Sequence, residues 1–102
     1  MSIIVAVKKA ERSYAVVWWV DDDGNSGYFV AGPVLLYFLD KLLGISVNKK
    51  RRTAVLKGED AELFLLLAKM AREQRIDRLR KLVNKSKNEV LEELRAWGAV
   101  PA

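Results

Sequence analysis

Residues 14–29 read YAVVWWVDDDGNSGYF, and this stretch limits the fold more than any other part of the chain. Two runs of valine and aromatic residues, the composition of strands, flank a short cluster of Asp, Gly, Asn and Ser. A cluster of that kind between two β-runs is a hairpin loop. Strands are therefore expected over 14–20 and 27–31, antiparallel, with the loop at 21–26. Neighbouring strand residues point to opposite faces, so Trp18 and Trp19 are sent to opposite sides of the sheet and one core cannot hold both.

The rest of the chain is arranged around this hairpin. Residues 2–9 are β-branched and short-chained and read as a first strand, joined to the second by a polar connection at 10–13. Pro33 suits the first turn of a helix and Gly44 its stop. The intervening VLLYFLDKLL is apolar nearly all round, which requires deep burial or an interface. A fourth strand is expected over 51–57, with 45–47 as a short strand that could pair with it. Glu59 and Asp60 suit the positive end of a helix dipole, and Leu63, Leu66, Leu67 and Met70 follow at helical spacing. Helical spacing resumes at Ile76, Leu79, Leu82 and Val83, and the sequence leaves open whether a break intervenes. Ser86 and Glu89 form a capping box ahead of a last helix carrying Val90, Leu91, Leu94 and Trp97, which Gly98 stops.

Strands first and helices later is the order of an α+β fold. The expectation is one domain, 1–102, with a small antiparallel sheet of about four strands and three or four α-helices. Residues 1–58 would be mainly strands with one buried helix, and 59–102 would form a helical C-terminal half. No repeat, low-complexity tract or linker interrupts it.

The chain has no cysteine and no histidine. Disulfides, thiolate metal sites, cysteine nucleophiles and histidine bases are thereby excluded. No catalytic residue, metal or cofactor is expected. DDDGN at 21–25 lacks the alternating ligands and closing glutamate of a calcium loop, and these are ordinary turn residues. The N-terminal residues do not read as a signal peptide, and no apolar run reaches the ~20 residues of a membrane span. A soluble cytoplasmic protein is expected. The net charge of +5 favours a polyanionic partner. The 30% content of charged residues, rich in Arg, Lys and Glu, suggests a thermophile.

A turn centred on Asp23-Gly24 sets Trp18 opposite Phe29 and Trp19 opposite Tyr28. With Lys8 paired to Tyr14, one face then carries Ile3, Val5, Val7, Ala15, Val17, Trp19, Tyr28 and Val30, and packs under the 33–43 helix. The other carries Ile4, Ala6, Lys8, Tyr14, Val16, Trp18 and Phe29, a mixture of lysine and aromatics suited to stacking unpaired bases. A one-residue slip in register would exchange part of these sets. Lys49, Lys50, Arg51 and Arg52 are the sharpest charge run and are expected to meet phosphate. A second basic region runs along the helices at Lys69, Arg72, Arg75, Arg78, Arg80, Lys81, Lys85 and Lys87. Acids such as Glu73 and Asp77 offer these residues partners on the same surface.

The aromatic strands YAVVWWV and GYF, the basic NKKRR segment and the helical C-terminal half together resemble, in layout over most of the chain, the ThermoDBP-related proteins. These are archaeal single-stranded-DNA-binding proteins of hyperthermophiles. The resemblance implies a sheet-plus-helices domain that assembles through helices and holds DNA with basic and aromatic side chains, with Trp18, Phe29, Arg51 and Arg52 at the matching positions. WVDDDGN followed by helix, basic strand and helix is also similar to half of a LAGLIDADG homing endonuclease. There the acid ends a helix packed through small residues, whereas VVWWV is bulky and strand-like.

The expected function is sequence-tolerant binding of single-stranded DNA, or RNA. The alternatives are a duplex-DNA regulator with a C-terminal helix-turn-helix, a metal-dependent nuclease, or a purely structural protein whose charge is incidental. A homo-oligomer, at least a dimer, is expected to form through Leu91, Leu94 and Trp97 of the last helix, since exposed apolar stripes mark contacts.

Overall fold

A computed structural model of the protein describes residues 1–48 and 52–98. The elements follow the order β1 (Ser2–Lys9), β2 (Ala15–Asp21), β3 (Ser26–Ala31), α1 (Pro33–Leu43), β4 (Thr53–Lys57), α2 (Glu59–Arg72), α3 (Ile76–Leu79), a 3₁₀ turn (Arg80–Leu82) and α4 (Lys87–Gly98). The four strands form one antiparallel sheet in the order β3-β2-β1-β4. The fold is α+β with a helical C-terminal half.

Alternation along the strands decides which face is covered. Ile3, Val5 and Val7 of β1, Ala15 and Val17 of β2, Phe29 and Ala31 of β3 and Leu56 of β4 are buried together under the helices. Phe29 packs against Phe64 of α2, with ring centroids 5.9 Å apart. Trp19 also points inward and is half-buried. Its cross-strand partner is Gly27, and that glycine is needed: a Cβ there would lie 3.0 Å from Trp19 Nε1.

The hairpin register differs by one residue from the sequence expectation. Trp18 pairs with Tyr28, and Phe29 with Val17. The loop between Asp21 and Asn25 has three residues rather than two: the Asp21 amide donates to Asn25 O (2.8 Å), and Gly24 takes a left-handed φ of 82°. Three-residue hairpin loops commonly combine a tight turn with a left-handed residue, and the odd count exchanges the two faces of β3. Tyr28 and Val30 therefore face outward. Phe29, expected outward, is 6% exposed and belongs to the core.

Helix ends follow the sequence closely. Pro33 opens α1, and Gly44 closes it at a left-handed φ of 68°. The apolar circumference of α1 is used within the molecule: Leu35, Phe38, Leu39 and Leu42 are buried, while Tyr37 and Lys41 both donate to Val83 O, at 3.4 and 2.9 Å. Residues 45–47 form no strand, although Ile45 is buried. β4 begins at Thr53 rather than 51.

The helical half is broken at 73–75. Gln74 has φ 56°, a left-handed conformation that turns the chain, and α3 starts afresh at Ile76. The capping box holds: the Glu89 amide donates to Ser86 Oγ (3.2 Å), and the Ser86 amide donates to Glu89 Oε1 (3.1 Å). The Ser86 amide, and then the Ser86 hydroxyl, bonded to the Glu89 carboxylate hold it below its ordinary pKa. α4 then lies against α2, where Arg95 forks onto Glu62 through Nε (2.8 Å) and Nη2 (2.7 Å), a geometry that lowers the Glu62 pKa.

This packing corrects the expected oligomer interface. Leu91 and Leu94 are 3% and 1% exposed, and Arg78 lies over the half-buried Trp97 ring at 4.4 Å. Helical spacing reveals an apolar stripe but not its partner. Here α4 packs against α2 and Leu91 and Leu94 belong to the protein's own core, so they are not available to a second copy.

Candidate nucleic-acid interface

The helices pack on the inward face of the sheet, and the outward face has no covering element among the described residues. Three rungs cross it: Ser26, Val20, Ile4 and Val55; then Tyr28, Trp18, Ala6 and Thr53; then Val30, Val16 and Lys8. Trp18 and Tyr28 are direct cross-strand partners on the middle rung, 43% and 68% exposed. They border a shallow depression of about 380 Å³ together with Ile4, Ala6, Val20 and Ser26 and the neighbouring Trp19 and Gly27. Two neighbouring aromatics with polar tips, open to solvent, can offer their faces to flat rings.

Lys8 stands on the next rung, opposite Val16 and diagonal to Trp18. Beyond it the chain gathers further cations at the same end of the sheet. Arg12 sits in the following loop at a left-handed φ of 52°; Lys9, opposite Ala15, and Arg52, whose carbonyl accepts the Val7 amide (2.8 Å), stand at the same end of the sheet but at positions that alternate toward the helix side. Among the described residues, none of Lys8, Lys9, Arg12 and Arg52 is in an ion pair. Glu11 and Asp40 stand near this end, so it is basic without being uniformly so.

Tyr14 lies just ahead of β2, four residues before Trp18. It leans toward Gly32 and lines a separate cavity of about 360 Å³ with Lys9, Arg12, Tyr37 and Asp40. It extends the outward face without joining the aromatic pair. Of the expected contact residues, the structure brings together Lys8 and Trp18, places Arg52 at the basic end and Tyr14 beyond it, and buries Phe29. Lys49, Lys50 and Arg51 lie outside the described residues. Tyr28, Lys9 and Arg12 were not foreseen. One signal could have found Tyr28: of the two adjacent aromatics, the one with a polar tip is the better candidate for the wet face.

The basic residues on the helices are largely engaged elsewhere. Arg75 meets Glu73 and Arg80 meets Asp77, both at 3.8 Å, while Lys85 meets Glu89 at 3.9 Å. Lys87 pairs with Asp60, and Lys69 donates to Gly98 O. The outer side of α4 exposes Glu89, Glu92 and Glu93, which a helix lying in a DNA groove would have to bring against phosphate. At the hairpin, Asp21 Oδ1 accepts the amides of Asp23 and Asn25, so its carboxylate serves the turn. No group of three or more acidic side chains among the described residues is placed to hold a metal ion.

Neither a family model, nor a curated protein, nor a solved structure matches this chain. No helix among the described residues is long and apolar enough to cross a membrane.

Proposed function

We propose that the protein binds single-stranded nucleic acid, DNA in the first instance, on the open face of its sheet. It would act in the cytoplasm as a binder, without cofactor or chemistry of its own. Bases stack on Trp18 and Tyr28, while Lys8, Lys9, Arg12 and Arg52 meet the phosphates of the strand as it leaves over the basic end. The observation that carries this reading is the exposed Trp18–Tyr28 pair, on a face that no described element covers and one rung from a lysine.

Stacking fits unpaired bases because every base has a π-face and a duplex hides it. Each stacked base contributes roughly 1–3 kcal/mol and carries little sequence preference. The acidic outer side of α4 disfavours the duplex-regulator alternative, and the hairpin position of Asp21, Asp22 and Asp23 differs from the helix-end acid of the nuclease.

Salt dependence tests the phosphate contacts. Each cation that meets a single strand steepens the fall of log K with log salt by about 0.7. Lys8→Ala and Arg52→Ala should each flatten the slope by about that amount and weaken all sequences alike. A slope unchanged in both variants would remove these residues from the interface.

A further inference from the structure

An aromatic pair and a basic end suffice for a nucleic-acid platform, and the open face holds more than that. Ile4, Val20, Val30 and Val55 are all exposed on it, and neither stacking nor phosphate binding uses them. With Trp18 and Tyr28 they expose on the order of 600 Å², against about 300–600 Å² for the largest apolar patch on an ordinary monomer. One side of a stable interface buries about 800 Å². The face has nearly the area that one half of a dimer requires.

Charge selects the partner and its orientation. Asp22 and Asp23 of the hairpin stand at one end of the face, with Lys57 of β4 near them, and Lys8 and Arg12 at the other. A twofold axis lying between two such sheets, perpendicular to the strands, sets each acidic hairpin over the partner's basic end. A twofold along the strands would set acid on acid and base on base. The first arrangement also brings the middle rung onto its own copy, so Trp18 and Tyr28 meet their counterparts at the centre of an isologous contact. Large apolar and aromatic groups would then occupy the core of the interface and charges its rim.

We infer that two copies of this chain close open sheet on open sheet, antiparallel, with the acidic hairpin of each against the basic end of the other. Resting on the nucleic-acid reading above, this dimer is the state in which the platform is covered. A strand and a second copy then compete for one face. The apparent affinity for the strand is reduced by the fraction of chains that are open, and so falls as protein concentration rises.

Sedimentation equilibrium from low micromolar to submillimolar protein tests this, with Val55→Lys as the first variant. Val55 is 61% exposed on an edge strand, so the fold should survive, which circular dichroism checks, and an added lysine does not repel nucleic acid. The native chain should dimerise reversibly. Val55→Lys should dimerise at least about tenfold more weakly, because the lysine would be buried without a partner. Asp23→Arg should also weaken the dimer, and adding Arg12→Asp should restore it. A native monomer across the range, or a Val55→Lys dimer as tight as native, overturns the proposal. Failure of the charge-reversed pair to restore association overturns the antiparallel orientation.

Adding an oligothymidylate separates the two readings. It should dissociate the native dimer, and its apparent affinity for the native chain should fall as protein concentration rises. An oligothymidylate bound with the native dimer intact contradicts the competition. Binding to neither the native chain nor Val55→Lys defeats the nucleic-acid reading and leaves the dimer to the sedimentation result.

Discussion

Trp18 and Trp19 differ by one position and by everything that surrounds them. Trp19 lies over Gly27 on the helix side and contributes to the core, whereas Trp18 stands beside Tyr28 in solvent. Substitutions should separate the two roles. Phe29→Ala removes a ring packed on Phe64 and should cost about 3–5 kcal/mol of stability, read by denaturant unfolding. Tyr28→Ala should leave stability within about 0.5 kcal/mol, as for an ordinary surface change, while weakening strand binding. Gly27→Val should lower the melting temperature, because its Cβ needs space that the Trp19 indole fills. A neutral Phe29→Ala together with a Tyr28→Ala that unfolds the chain would contradict the pairing of Trp18 with Tyr28.

Elements were legible in the sequence where a local rule set them. Pro33 and Gly44 bounded α1, Ser86 and Glu89 opened α4, and alternation in β1 and β2 sorted inward from outward residues. The faces of β3 were not legible, because they depend on whether the Asp-Gly loop holds two or three residues. The burial of Leu91 and Leu94 was not legible either, because helical spacing does not say what a stripe packs against. The capping box gives a test of its own. Ser86→Ala should cost about 1 kcal/mol, seen as a lower melting temperature. Acid should act on the same region. Glu62 and Glu89 both titrate below the ordinary carboxyl value of 4.5 in the folded protein. Their contribution is therefore complete above that value and is lost as pH falls through their lowered pKa values. Glu89 is solvent-exposed and Glu62 half-buried with its carboxylate still reached by water, so the loss should be small. A melting temperature that falls below pH 4.5 less steeply in a Glu62→Gln, Glu89→Gln double variant than in the native chain is the expected outcome. Identical slopes would contradict it.

In the whole molecule, one layer of helices covers one face of a four-stranded sheet, and no element among the described residues covers the other. A chain of 102 residues can bury a core this way, but an exposed sheet face rich in aromatic and aliphatic side chains calls for an occupant. The charge of the molecule is distributed to match. The helices hold most of their cations in ion pairs and backbone contacts, whereas the end of the sheet beside Trp18 keeps cations that no acid has claimed among the described residues. A platform that stacks bases and draws phosphates across its basic end is the use that combines both features. The most direct test is an equilibrium titration of a fluorescent oligothymidylate, and of a duplex of equal length, with the native protein and with Trp18→Ala. The native protein should prefer the single strand, and Trp18→Ala, still folded, should lose roughly 1–3 kcal/mol of that affinity. A folded Trp18→Ala that binds the single strand as tightly as the native protein would contradict the assignment of this face.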